Sequence, residues 1–126
     1  MGFYQSIKSV YTKYFFYSGR ASRSEYWWFL LFTFLGSMFL AIVDTLLVLI
    51  LPEFFVFSIL QNIFSLLNII PLIMVSLRRL HDINRSGWWL IFTYIPIIGW
   101  IFWVFWFCKK GDLVNNTFGV NPLIKI

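Results

Sequence analysis

Two short stretches concentrate the side chains that could do chemistry. Arg20, Arg23 and Glu25 stand in the first, and Arg78, Arg79, His81, Asp82 and Arg85 in the second. Two carboxylates among five guanidiniums make a positively biased set. Each carboxylate can accept a bidentate Arg pair, and a guanidinium left over can hold an anion. Three chemistries suit these types. Interhelical ion pairs that anchor helix ends come first. A basic rim site for lipid phosphate, another phosphorylated ligand or a protein partner comes second. An acid–base pair of His81 and Asp82 comes last, because adjacent residues on a helix do not face each other. The metal ligands of a phosphohydrolase-like His-Asp site are also missing. One histidine and one cysteine, Cys108, cannot supply a zinc site of three or four protein ligands. No cofactor is expected.

The elements that must position these residues are apolar. The chain is 60% hydrophobic and 12% charged. From Trp27 to Leu51 the only ionisable residue is Asp44, and 54–77 and 88–108 contain none. Each run exceeds the roughly 20 residues that cross a hydrocarbon layer about 30 Å thick. The expected fold is therefore all-α: an integral membrane protein with three transmembrane helices at 27–51, 54–77 and 88–108. Residues 3–17 place Phe3, Tyr4, Ile7, Val10, Tyr11, Tyr14 and Phe15 at helical spacing, with Gln5, Ser6, Lys8, Ser9, Thr12 and Lys13 mainly opposite. That pattern predicts an N-terminal amphipathic helix lying in the headgroup region. Residues 109–126 form a tail of turn-forming composition. With 126 residues in all, the chain is one membrane domain without room for a separate soluble catalytic unit. A non-enzymatic role is expected.

Local signals refine these elements. Ser22 and Glu25 form a Ser-x-x-Glu capping box at the start of the first span, and Ser86 can cap the third. Pro71 should kink the second, and Gln61, Asn62 and Asn68 should face other helices. Pro52-Glu53 should connect the first two spans. Residues 1–26 lack the apolar centre of a cleavable signal peptide.

The net charge of +5 and pI near 9.6 need no nucleic acid partner, since the basic residues flank the spans. Seven of the ten, namely Lys8, Lys13, Arg20, Arg23, Arg78, Arg79 and Arg85, fall on one side if the N-terminus is cytoplasmic. Three full spans put Lys109, Lys110 and Lys125 outside, the wrong side for a Lys pair. A re-entrant third segment turning at Pro96 to Gly99 would bring all ten inside, but it breaks backbone at membrane depth. Three full spans are preferred. Asp44 is a candidate for proton-coupled transport by an oligomeric transporter or channel subunit, but a lone acid without a relay reads better as structural.

The stretch Gly19-Arg20-Ala21-Ser22-Arg23-Ser24-Glu25-Tyr26-Trp27, with Arg78-Arg79-Leu80-His81-Asp82 and Ser86-Gly87-Trp88-Trp89 further on, resembles a family of small bacterial inner-membrane proteins, domain of unknown function 805. Phe118-Gly119-Val120-Asn121-Pro122 is similar to that family's closing motif. Asn84 stands where the family often has Gly; Asn tolerates a left-handed turn better than most residues. The resemblance implies a bacterial plasma-membrane location and no particular activity. The reading is thus a binding or accessory module in the bilayer, with a protein or anionic lipid at Arg20, Arg23, Arg78 and Arg79, and homo-oligomerisation as a further option.

Overall fold

The computed structural model describes residues 2–51, 59–119 and 121–123; the expected turn at Pro52-Glu53 lies outside them. Four α-helices follow in order: α1 (Phe3–Thr12), α2 (Arg23–Ile50), α3 (Ile59–Asp82) and α4 (Ile98–Cys108), with a 3-10 helix (Gly87–Tyr94) before α4. There is no β-strand among the described residues; Asn116 and Gly119 exchange two backbone hydrogen bonds in a turn. At about 1.5 Å per residue α2 and α3 reach about 42 and 36 Å, enough to cross a bilayer. They pack antiparallel so closely that a Cβ on Gly36 would sit 2.6 Å from the Phe64 ring.

Pro71 lies inside α3 and cannot donate to the carbonyl of Leu67. The Tyr14 hydroxyl donates to that oxygen at 2.5 Å. An aromatic from the N-terminal arm thus satisfies the acceptor that the proline strands.

The expected single helix at 88–108 is not what forms. The segment is a hairpin of two short helices, each roughly 16 Å long. Trp89 and Trp106 sit edge to face at 5.7 Å between ring centroids. On one straight helix, 17 residues apart, they would be about 26 Å apart. Pro96 holds Ile95 extended, and Ile97 turns the chain with φ of 67°. Gly99 has no Cβ, and one there would meet the carbonyl oxygens of Phe92 and Thr93 at 2.6 Å. The tail consequently returns to the end of the molecule from which the hairpin left.

Other expectations shift locally. α1 ends at Thr12 rather than near residue 17. Its Ser6 and Ser9, assigned to a solvated face, turn towards α2, where the Ser6 hydroxyl donates to the carbonyls of Gly2 and Ser24. Ser22 caps α2 by accepting from the Glu25 amide at 3.3 Å, whereas the Glu25 carboxylate leaves the capping box for another partner. Ser86 precedes the 3-10 helix without a side-chain cap. Asn84 does take the left-handed conformation, with φ of 58°.

The densest packing is not in the middle of the helices. Ala21, Tyr26, Phe29, Leu80, Ile83, Trp106 and Phe107 are buried around the end where α2 begins and α3 stops. That end carries the charges.

Candidate functional site

Helix geometry brings seven of the eight singled-out residues together. Arg78 at the last turns of α3 donates through Nη1 to Oε1 of Glu25 at 2.9 Å, and Ser9 of α1 donates to the same oxygen at 2.9 Å. Asp82 takes two partners. Its Oδ1 accepts from Nε of Arg20 at 3.0 Å, with Nη2 in ion-pair contact at 2.9 Å, and its Oδ2 accepts from Nη1 of Arg79 at 2.9 Å. All five charged side chains are buried. Ion pairs so far from water need nearly complete hydrogen bonding to repay desolvation.

Most of that hydrogen bonding comes from backbone carbonyls. Arg20 also donates to the carbonyls of Asp112 at 2.6 Å, Val114 at 2.9 Å, and Gly119 and Asp82 at 3.3 Å. Arg79 donates to the carbonyls of Phe107 and Lys109, and Arg23 to that of Cys108 at 3.2 Å. The Trp27 indole adds a bond to Phe107 at 2.9 Å. Three side chains of α2 and α3 thereby cap the C-terminal carbonyls of α4, which have no partner inside their own helix. Positive charge there also opposes the negative end of the helix dipole. Gly111 crosses directly over Asp82, where a Cβ would lie 2.0 Å from Oδ2, and the Asp112 amide donates to the Asp82 carbonyl at 2.9 Å.

His81 and Asp82 do not form an acid–base pair. Nδ1 of His81 lies 2.9 Å from the Gly19 carbonyl, and its ring stacks on Phe118 at 4.1 Å with planes 2° apart. Arg85 stands apart from the ion pairs, over the rings of Trp89 and Trp106 at 5.0 and 5.1 Å. The expected surplus of free guanidiniums has largely gone into holding the tail and α4. One exception stands inside the cluster: Nε and Nη2 of buried Arg78 have no hydrogen-bond partner among the described residues.

Asp44 is settled by geometry. Its buried carboxylate accepts from the amides of Leu60 at 3.2 Å and Gln61 at 2.9 Å. It caps the N-terminus of α3 from across the helix pair. Asn68 faces inward as expected and accepts from the Tyr11 hydroxyl of α1. Burial pushes the Tyr11 phenol above its ordinary range, against the opposing effect of the Asn68 bond.

Sequence reasoning missed Ser9, Trp27, Gly111, Asp112, Asn116 and Phe118 as site residues. Asn116 donates to the His81 carbonyl at 2.9 Å and to Asp112 at 3.0 Å. The one signal pointing to them was the misplaced Lys109 and Lys110, and the folded-back tail sets Lys109 beside Arg79 at the charged end.

Residues 14–120 match the model of a family described as a protein of unknown function, DUF805. The chain belongs to this family. The DUF805 match contains every charged residue of the cluster. Among its relatives, the inner membrane protein YhaI of Escherichia coli (strain K12) is 34% identical over 114 residues, 90% of this chain and 92% of the relative. The inner membrane protein YhaH of the same strain is 35% identical over 109 residues, 86% of this chain and 88% of the relative. This DUF805 chain is accordingly a small inner-membrane protein by family. No solved structure matches it.

Proposed function

We propose that the chain is a multi-pass plasma-membrane module with its charged end on the cytoplasmic side, and that it acts by binding one oxyanion at Arg78. α2 and α3 have the length and composition of spans. The hairpin then enters only part of the bilayer and leaves on the side it entered, and Gly99 at its turn packs against the carbonyls of Phe92 and Thr93 in its own first arm. Arg20, Arg23, Arg78, Arg79, Arg85 and Lys109 gather at one end in this arrangement, which favours that end as cytoplasmic.

The observation that carries the binding role is the unpaired edge of Arg78. Nε and Nη2 point along one side of the guanidinium plane, the geometry that clasps two oxygens of a phosphate or carboxylate. Glu25 holds only the third nitrogen, so the pair is incomplete as it stands. A buried cation with two idle donors is costly, and an oxyanion there would satisfy both. Ser9 shares the Glu25 oxygen, so α1 covers the site and must lift for entry.

Nothing in this reading requires catalysis. The two α3 amides that donate to Asp44 support a capping role for it rather than proton-coupled transport.

Arg78→Lys keeps the charge and removes the fork. Binding of purified protein to nanodiscs containing phosphatidylglycerol, and to inorganic phosphate, should fall about tenfold, the loss of one charge-assisted hydrogen bond of about 1.5 kcal/mol. Helicity by circular dichroism should be retained. Unchanged binding of both probes in a folded Arg78→Lys protein overturns the assignment. Loss of lipid binding alone would make the ligand a headgroup rather than a free anion.

A further inference from the structure

A groove of about 750 Å³ runs between the end of α3, the 3-10 helix and the tail. It is separate from the ion pairs, and none of the cluster's guanidiniums lines it. Leu77, Trp88, Leu90, Ile91, Tyr94 and Phe118 make its walls. Three of these side chains are largely free of packing: Trp88 is 78% exposed, Tyr94 72% and Ile91 59%. Such a volume and aromatic lining are typical of sites that hold a small molecule.

The polar groups of the groove are not evenly spread. Ser18, Gly19, Ser86 and Thr117 line it together with His81, and the neighbours of the last are known. Gly19 bonds its Nδ1, and Phe118, next to Thr117, covers one ring face. These groups therefore gather at the mouth where the 3-10 helix begins. Tyr94 lies seven residues on from Gly87, roughly 14 Å along that helix at 2.0 Å per residue. The groove is thus long, wet at one end and oily beyond, the profile of an amphiphile.

The head is constrained by charge. Arg85, the nearest candidate in sequence, is turned onto Trp89 and Trp106, away from this groove, and Arg78 is paired with Glu25. A phosphate or carboxylate would find no cation among the lining residues. His81 supplies the opposite preference. A carbonyl only accepts, so Nδ1 carries the proton that goes to Gly19, and in the neutral ring Nε2 is a bare acceptor. It calls for a donor.

The geometry points to a site for a neutral, hydroxyl-headed lipid: its hydroxyl donates to Nε2 of His81, and its hydrocarbon chain lies along the 3-10 helix against Leu77, Ile91 and Tyr94. The surrounding bilayer is the source. The site is independent of the oxyanion at Arg78.

The test uses the full chain in phosphatidylcholine nanodiscs with photoactivatable hexadecanol and photoactivatable hexadecanoate, each with its diazirine in the chain. Labelling by the alcohol should saturate, concentrate on residues 88–94 and be displaced by unlabelled hexadecanol. The carboxylate should label the same residues several-fold less. His81→Leu should lower labelling by the alcohol about fivefold, the loss of one net hydrogen bond. Should His81→Leu disturb the loop it touches, Ile91→Trp provides the second variant: this side chain is 59% exposed, so the fold survives while the groove is filled and labelling disappears. Non-saturable labelling spread over Leu46 and Leu49 of α2 would reveal ordinary surrounding lipid and overturn the proposal. Equal or better labelling by the carboxylate, or undiminished labelling in folded Ile91→Trp, would also overturn it.

Discussion

Asp82 is a point of convergence in the charged end. Two guanidiniums, the backbone of the tail and the bare Cα of Gly111 all converge on it. Asp82→Asn is nearly the same size but leaves Arg20 and Arg79 buried against a neutral group. Removing one partner of a buried pair typically costs about 3–5 kcal/mol. Melting in mild detergent should drop accordingly, with the tail released first, visible as proteolytic cleavage after Lys109 and Lys110. The charged residues themselves could be picked out from the sequence, because they interrupt an otherwise apolar chain. Their main partners could not. The carbonyls of Phe107, Lys109, Asp112, Val114 and Gly119 carry no side-chain signature, and only the folded backbone presents them to Arg20 and Arg79.

At the level of elements, α2 and α3 follow directly from apolar length, and the inward Asn68 and interior Pro71 were foreseeable. What composition does not contain is the remedy for Pro71. The Leu67 carbonyl is served by Tyr14, fifty-three positions away. Tyr14→Phe should therefore cost about 1 kcal/mol. Hydrogen exchange at α1 should rise with it, since the Tyr14 and Tyr11 hydroxyls are the contacts that tie the N-terminal arm to α3. Unaltered exchange in α1 would mean that the arm is held by its contacts with α2: ring packing on Phe29 and Phe32 and the Ser6 and Ser9 hydrogen bonds. The 88–108 segment shows why length is an ambiguous signal. Twenty-one apolar residues suit either one crossing or a hairpin, and Pro96 and Gly99 are compatible with both. The choice falls to contacts made elsewhere: Arg23, Arg79 and Trp27 hold the last turn of α4 beside the start of α2.

For the molecule as a whole, sidedness is the sharpest consequence. With Cys108 replaced by Ser, single cysteines at Lys8 and Lys110 should react with a membrane-impermeant maleimide from the same face of inverted vesicles. Reaction from opposite faces would restore a full third crossing and break the proposed arrangement of the charged end. Family membership covers most of the chain, and the motifs that carried the resemblance are the same ones that build the clasp. Their meaning as partners of a folded-back tail was beyond reach of a linear reading, because the tail's own residues look like a loose turn.

That clasp also imposes an order on biogenesis. Arg20 leaves the ribosome early, yet three of the carbonyls that shield it belong to residues made 92, 94 and 99 positions later. Insertion of the first two helices must therefore precede full shielding of Arg20 at their charged end. A nascent chain stalled before residue 111 would hold Arg20 without its three tail carbonyls and Asp82 without the Asp112 amide, a half-sealed membrane protein.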